Sequence, residues 1–368
     1  SLGWNQKEME RSKKPVLKKT ESFGWFDGEK LASQISVYPM QVNLFGTMYN
    51  MGGVTGVATY PEYMGHGLMA HLMKKALDNM RENHQCVSML FPYLIPYYRK
   101  KGWEIVSDKM TYTIKDTQLP KHHKVGGMVE RVDIDSEDVH RVHDAFSAMR
   151  HGALKRNELE WEEYWRWEAD DVLVAVYYDA NEKPTGYLVY YIANDVFRIK
   201  ELVYINQEAR HGLWNYISAH FSMIDKVVGN NYTNEPMAFL LEDSEIQEEI
   251  EPYIMARIVD FEEFIRQYPF DIISIHDDLH FIIDDPIMEC NCGDFSLRWD
   301  AAGNTILERG GTRGETVRCD IQTLTAMFYG YKRPTYLKRV ERLQANDTAV
   351  RILEDIIPIE QPYFSDYF

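Results

Sequence analysis

Apolar residues at Met69, Leu72, Met73, Ala76, Leu77 and Met80 recur at the spacing of one buried helical face, which predicts an amphipathic helix opening just after Gly65 and Gly67. Immediately before it, Gly52 to Tyr60 reads as a strand whose last residues are Val57, Ala58 and Thr59. A strand, a glycine-punctuated turn and a helix N-terminus together present backbone N–H groups and the positive end of a helix dipole, which is how chains commonly build a site for a phosphorylated cofactor. The same glycines also suit an ordinary strand-to-helix turn that needs their backbone angles, and the pattern alone admits both readings.

Upstream, Phe23 to Glu29 reads as a strand ending in a hairpin turn, Ile35 to Pro39 as the return strand and Met40 to Tyr49 as an extension of the meander. Downstream come a buried-looking strand, Cys86 to Phe91, a short helical piece, Ile95 to Lys101, and β structure from Trp103 to Ile114. This order makes a mixed α/β layer the size of one domain, assigned to residues 1–115. Asp116 to Gly127 is polar and turn-rich and reads as a linker, with His122 and His123 on its surface.

A second unit, residues 116–269, then repeats the first. Helical stretches at Asp135 to Arg150 and Glu158 to Trp167 lead into strands at Val172 to Asp179, Thr185 to Ala193 and Val196 to Tyr204. His66-Gly67-Leu68-Met69 returns as His211-Gly212-Leu213-Trp214 at a corresponding strand-to-helix junction. The second copy lacks Pro61 and Gly65, and it replaces the basic, aromatic stretch Pro96 to Gly102 with an acidic run from Glu245 to Glu251, which repels a phosphorylated cofactor. It is therefore read as a scaffold or as a wall of the substrate pocket. From Phe270 the pattern changes to short strands at Leu279 to Asp284, Phe295 to Trp299 and Thr305 to Glu308, with helices near Asp320 to Phe328 and Thr348 to Ile356. A third, α+β domain is assigned to residues 270–368.

With 368 residues, 45% hydrophobic and 26% charged, the chain has material for two or three proper cores. No apolar run approaches the ~18 residues of a membrane span, and no basic-plus-apolar leader precedes the first strand. The expectation is a soluble protein, with the cytosol as its default compartment. A net charge of −17 disfavours nucleic acid and anionic membrane as partners, since both need a positive footprint, and suits a cationic one. Four cysteines are too few and too scattered for a disulfide framework, and Cys290-Asn291-Cys292 lacks both the usual zinc spacing and a second cluster, so no metal is expected. The segment from Glu8 to about Glu21 is charged and mixed, and because the chain opens on Ser1, what precedes it stays open.

Strand, glycine turn and helix, followed by a strand and Tyr97-Tyr98-Arg99-Lys100-Lys101-Gly102-Trp103, resemble an N-acetyltransferase of the GNAT superfamily. The duplication, the compact aromatic end Pro362 to Phe368, and Asp320-Ile321-Gln322-Thr323-Leu324-Thr325 with Gly330-Tyr331 and Pro334 narrow the resemblance to the enhanced intracellular survival (Eis) acetyltransferases. It covers essentially the whole chain. The resemblance implies a mixed α/β and α+β protein: a catalytic GNAT domain, with the presence of its first strand and helix left open, a degenerate GNAT-like copy, and a sterol-carrier-protein-like domain. It implies acetyl-CoA as cosubstrate, no metal, a cationic amine acceptor of the aminoglycoside, polyamine or lysyl kind, and a homo-oligomer such as a hexamer.

The family's pyrophosphate loop follows Arg/Gln-x-x-Gly-x-Gly/Ala, and here those positions read Met64, Gly67 and Met69. By position, Val57, Ala58 and Thr59 lie along the cofactor at the strand edge, Gly65, His66, Gly67, Leu68, Met69 and Ala70 surround the pyrophosphate, and Tyr93 and Leu94 flank the pantetheine. Backbone donors are what a pyrophosphate chiefly uses in such a loop, and the strand-edge N–H groups are placed to polarise the thioester carbonyl.

An amine of pKa near ~10.4 must lose a proton before it attacks, and the leaving thiolate needs one in return. Tyr98 matches the family's general acid and the terminal carboxylate of Phe368 its general base, the latter needing burial or a relaying water because a free terminus has a pKa near ~3.5. From the residues alone, Tyr97 and Tyr98 divide the roles of acid and packing aromatic evenly, and Asp366 reads as surface acid or as a partner for the ammonium. Arg99, Lys100 and Lys101 read either as phosphate contacts or as a solvated basic turn. Two other functions stay in view: a non-catalytic binding protein with a degenerate acetyl-CoA site and an apolar ligand in the third domain, and protein-lysine acetylation in a wide cleft.

Overall fold

The computed structural model describes residues 19–167, 172–233, 235–272 and 277–368, so most of the charged N-terminal segment and the front of the first domain lie outside the described residues. The chain runs through β1 (Glu21–Asp27), β2 (Lys30–Leu44), β3 (Thr47–Thr59), α1 (Leu68–Glu82), β4 (Val87–Leu90), α2 (Ile95–Arg99) and β5 (Glu104–Lys115). It continues with β6 (Met128–Val132), α3 (Glu137–Met149), β7 (Leu154–Lys155), α4 (Glu158–Trp167), β8 (Leu173–Tyr178), β9 (Pro184–Ala193), β10 (Val196–Tyr204), α5 (Gln207–Ser218), β11 (Lys226–Asn231) and β12 (Gln247–Ile258). It ends with α6 (Phe261–Arg266), β13 (Leu279–Asp284), β14 (Gly293–Trp299), β15 (Thr305–Arg309), β16 (Glu315–Asp320), α7 (Ile321–Phe328), α8 (Pro334–Arg339), β17 (Gln344–Ala345) and α9 (Asp347–Ile356). No helix among the described residues is long and apolar enough to cross a membrane.

Two compact units divide the chain. The first holds the described residues up to Val106, Ile254–Pro362 and Tyr367–Phe368. Its main sheet places β2 between β1 and β3, both antiparallel to it, then β4 parallel to β3, then the end of β12 antiparallel to β4. The β2–β3 hairpin turns on Phe45 and Gly46, whose φ angles of 50° and 88° match the twist that a two-residue hairpin needs. The sequence reading took Met40 to Tyr49 as one extended segment, because Phe45-Gly46 is not the Asn-Gly or Asp-Gly pair that usually marks such a turn. As the spacing predicts, α1 buries Leu72, Met73, Ala76, Leu77 and Met80, and they pack with Ile35, Val37, Val54, Leu90, Tyr98 and Trp103. Gly52 lets the helix come close, since a Cβ there would meet Met80 Sδ at 2.6 Å.

The same unit contains a second sheet in the order β15-β14-β13-β16-β17, antiparallel except for the β13–β16 pair. Its inner face is filled by Phe261, Phe281, Phe295 and Phe328, in edge-on or tilted contact at 5.1 to 6.1 Å. The reading missed β16, which lies next to β13 in this sheet. Glu315-Thr316-Val317-Arg318-Cys319 buries only Val317 and Cys319, too short an alternation to stand out.

The second unit comprises Ser107–Tyr253 and Tyr363–Asp366. Its sheet runs from the end of β5 through β11, β10, β9 and β8 to β6, with β10 and β11 parallel and the other pairs antiparallel. One side packs on α5 through Ala209, Leu213, Trp214 and Ile217, the other on α3 through Val139 and Val142. The pattern assigned Trp103 to Ile114 to the first layer. In the structure the later part of β5 pairs with β11, while the neighbour of β4 is the end of β12, brought back from much later in the chain.

Candidate active site

The site begins where two parallel strands part. β3 and β4 pair only from Met51 opposite Val87 to Gly53 opposite Met89, after which β4 stops at Leu90 and β3 runs on to Thr59. On its other edge β3 carries a bulge: Gln34 faces Ala58 and Ser36 faces Thr55, so Gly56 and Val57 together oppose Ile35, with Gly56 at a φ of 59°. A bulge bends and twists its strand, here at the point where β3 leaves β4, and the edge of β3 past Gly53 runs on without β4 beside it.

Beyond Thr59 the chain makes a tight turn at Pro61–Tyr63 and reaches Gly65 and Gly67 at φ angles of 82° and 75°. A Cβ on either glycine would meet nothing within 4 Å, so backbone conformation and not crowding requires them. Gly67 is the N-cap of α1, and no side chain caps the helix. The first intrahelical bonds are Ala70 N–H and His71 N–H donating to the Gly67 carbonyl, so the earlier N–H groups at this helix end have no intrahelical acceptor.

A cavity of about 610 Å³ fills the opening. Its walls are Val57, Ala58 and Thr59 from β3, Gly65, Gly67, Leu68, Met69 and Ala70 from the loop and α1, Tyr93 and Leu94 from the segment after β4, and Tyr98 from α2. All of these were singled out in the sequence, and the fold brings them to one place. Tyr63, Met64, Tyr97 and Lys101 complete the lining. Only Tyr63 among them had no sequence signal, for nothing local tells a lining tyrosine from a surface one.

His66, expected beside the pyrophosphate, is exposed and outside the lining, between two left-handed glycines. Tyr98 is the more buried of the paired tyrosines, only 6% exposed, with Tyr97 and Trp103 edge-on at 5.2 and 6.3 Å. Burial, and then the neighbouring Tyr97 hydroxyl, push its phenol above the ordinary range, so it stays protonated until a strong base forms beside it. Arg99 does not face the cavity; its guanidinium forks onto Glu104 Oε1 at 2.9 and 2.7 Å. Lys100 is exposed, and Lys101 alone of the three reaches the cavity.

The chain end is packed. Tyr367 meets Phe91 edge-on at 5.0 Å, and the Phe368 ring lies against Gly53, where a Cβ would approach it to 2.9 Å. Phe368 thus stands at the point where β3 and β4 separate, not among the cavity-lining residues. Asp366 belongs to the second unit and is neither a surface acid nor an open partner for an amine. It is buried, accepting from Arg156 Nε at 2.6 Å, while the same guanidinium donates to Glu201 at 2.7 Å.

The second copy lacks the loop. Asn206 caps α5 by accepting from Ala209 N–H at 2.8 Å, which occupies the donor end that an anion would use. The echo at His211-Gly212-Leu213-Trp214 is not its counterpart of the loop: Gly67 precedes α1, whereas Gly212 lies inside α5 and is small because the Tyr177 ring rests on it. The acidic run forms part of β12, where Glu248 accepts from Met237 and Ala238 N–H and Glu251 pairs with Lys109 at 3.2 Å. All four cysteines are free thiols, and no cluster of three or more metal-ligating side chains occurs among the described residues.

The acetyltransferase (GNAT) domain pattern matches residues 3–106, a second acetyltransferase (GNAT) pattern matches residues 152–258, and the sterol carrier protein domain pattern matches residues 261–365. Solved structures are similar over the whole chain. A conserved protein of unknown function from Enterococcus faecalis V583, described as a probable N-acyltransferase, is 30% identical with a TM-score of 0.90, over 99% of this chain and 93% of that one. A GCN5-related N-acetyltransferase from Anabaena variabilis ATCC 29413 is 24% identical with a TM-score of 0.87, over 100% of this chain and 94% of that one. Eis1 from Mycobacterium abscessus is 17% identical with a TM-score of 0.80, over 94% of this chain and 90% of that one. Curated proteins give no significant sequence match.

Proposed function

The chain belongs to the GNAT acetyltransferase family, with two such domains followed by a sterol-carrier-like domain, and on that premise we propose that it carries acetyl from acetyl-CoA to a primary amine of a cationic acceptor. Aminoglycosides, polyamines and lysyl side chains are the acceptor classes of choice, and the net charge of −17 favours all three over anionic ones. The observation that carries the reading is the convergence, on one cavity, of a released strand edge, an uncapped helix end and a buried phenol.

Each part has work to do. The N–H groups at Gly65 to Met69, which precede the first intrahelical bond, suit the pyrophosphate, whose charge the helix dipole favours. The wedge between β3 and Tyr93-Leu94 suits the extended pantetheine, and the strand-edge N–H groups suit the oxygen on which charge develops as the amine attacks. The bond between the amine nitrogen and the acetyl carbon forms as the carbon–sulfur bond breaks. The proton shed by the ammonium passes to the Phe368 carboxylate, directly or through water, and Tyr98 returns one to the departing thiolate. A phenol held above its usual pKa is protonated throughout the neutral range and so remains available as this acid. The binding-protein alternative is weakened by the third region, whose interior is occupied by Phe261, Phe281, Phe295 and Phe328.

Thiol release from acetyl-CoA, measured with aminoglycosides, polyamines and lysyl peptides, tests the proposal. We expect turnover with at least one class, and a loss of about 100-fold in kcat for Tyr98→Phe with the calorimetric Kd for acetyl-CoA unchanged. Silence across the panel by folded protein refutes the acceptor class, and undiminished turnover by Tyr98→Phe refutes the acid.

A further inference from the structure

The helix that carries Tyr98 is a single turn, too short to hold itself in water. The carbonyls at its C-terminus and in the turn that follows need partners, and two of the donors come from far along the chain. Gln322 Nε2, on α7, donates to the Arg99 carbonyl at 2.7 Å, and Arg257 Nη1, at the end of β12, donates to the Lys101 carbonyl at 2.6 Å. Arg257 is fully buried; its Nη2 meets Asp285 at 2.5 Å, and its guanidinium lies over the Trp103 ring, which itself packs on Tyr98.

A third tie runs through a carboxylate. Glu104 is almost wholly buried: one oxygen takes the fork of Arg99 and the other accepts from Arg342 Nη2 at 3.0 Å. Arg342 is fixed in turn by donating to Thr323 Oγ1 at 3.1 Å. The glycine of Tyr-Tyr-Arg-Lys-Lys-Gly-Trp now has a reason. Gly102 adopts a φ of 91°, and a Cβ there would strike Arg257 at 2.6 Å and Ile321 at 3.2 Å. The motif contains the acid and also the space for the guanidinium that grips its turn.

We propose that these three ties, Gln322 to the Arg99 carbonyl, Arg257 to the Lys101 carbonyl and Arg342 to Glu104, are positioning contacts that fix Tyr98 for proton transfer, so that the end of β12 and the sterol-carrier-like region together serve as a brace for the acetyltransferase site. The inference rests on the reading of Tyr98 as the acid. A cavity wall does not need such holding, but an acid that must meet one sulfur within hydrogen-bond reach does, since small misplacements of a reacting group cost large factors in rate.

Arg342→Ala tests it in the full-length protein, using the fastest amine of the panel. We expect kcat to fall about tenfold with the KM for acetyl-CoA changed less than twofold, Arg342→Lys to recover part of the loss, and the effect to shrink below twofold in a Tyr98→Phe background. A kcat within twofold of the parent, or a tenfold loss that persists without the Tyr98 hydroxyl, overturns the brace. Full turnover by Tyr98→Phe alone refutes the acid and the brace together, whereas an impaired Tyr98→Phe beside a normal Arg342→Ala refutes only the brace. Should Arg342→Ala fail to fold, Gln322→Met carries the same comparison. A readout free of turnover is the ¹⁹F resonance of 3-fluorotyrosine installed at position 98: it should shift or broaden, and titrate lower, when Arg342 is removed. An unchanged resonance overturns the proposal.

Discussion

Gly67 shows at the scale of one residue how a turn becomes a site. It is the left-handed N-cap of α1, whose first residues line the cavity, and space around it is open, so a side chain there acts through backbone strain alone. Gly67→Ala should cost roughly 1–2 kcal/mol in that conformation, and relaxing it turns the donors away. We expect acetyl-CoA affinity, measured calorimetrically, to fall about tenfold for Gly67→Ala and by less for Gly67→Asn, because asparagine tolerates left-handed angles. Equal affinity in all three proteins would mean that the loop donors do not hold the cofactor. Met64 and Met69, which depart from the family pattern, leave those donors untouched.

The element that matters most is the junction of β3 and β4, with the chain end packed on it. Gly53 is the last residue of β3 paired to β4, and it is bare where the Phe368 ring and Met40 Sδ come within 2.9 Å of its absent Cβ. Gly53→Ala should push the ring, and the carboxylate with it, away from its place. The expected result is a fall of about tenfold in kcat with acetyl-CoA affinity kept within twofold, read by steady-state kinetics and calorimetry. A few residues appended after Phe368 should do more, about 100-fold, by removing the terminal carboxylate altogether. A fully active extended protein would end the case for a base at the chain end.

For the whole molecule, stability depends on buried charge in the second unit. Glu160 is buried there, accepts from the Asn157 N–H through one oxygen and leaves the other without a partner. Burial pushes its pKa from 4.5 up to about 7, against the lowering effect of the Asn157 N–H and of Arg156, while the nearby Asp366 raises it further. A carboxyl raised in the folded state contributes its stability below the unfolded pKa and loses it as pH climbs through the folded one. The loss therefore falls between about pH 4.5 and 7 and amounts to about 3 kcal/mol. Glu160→Gln carries no such pH-dependent loss. Its Tm relative to the parent should rise across that window and level off above it, and a flat difference would place the ionisation of Glu160 elsewhere. Asp366, raised mainly by burial and held by Arg156, adds to the slope in the same direction.

The amino-acid sequence determined what is local. Period and glycine placement gave α1 and its buried face, the strands β8, β9, β10 and β13 nearly to the residue, and the loop at Gly65 and Gly67, because side-chain alternation and left-handed angles are properties of neighbouring residues. The order of those elements, with Tyr97 to Trp103, sufficed to point to the family. Tertiary structure decided what depends on distant partners. An alternating strand fits any sheet edge, so nothing in β5 or β12 said which strand each would join. A repeated His-Gly-Leu looked like a second loop until packing placed Gly212 under Tyr177 inside a capped helix. Asp366 read as a surface acid or as a partner for an ammonium, and nothing local singled out Arg257, because charge is normally solvated; only the approach of Arg156 to the one and Asp285 to the other offsets their burial. The separation of β3 from β4 is of the same kind: it exists because one strand stops and its neighbour bulges, a relation between strands that neither segment encodes alone.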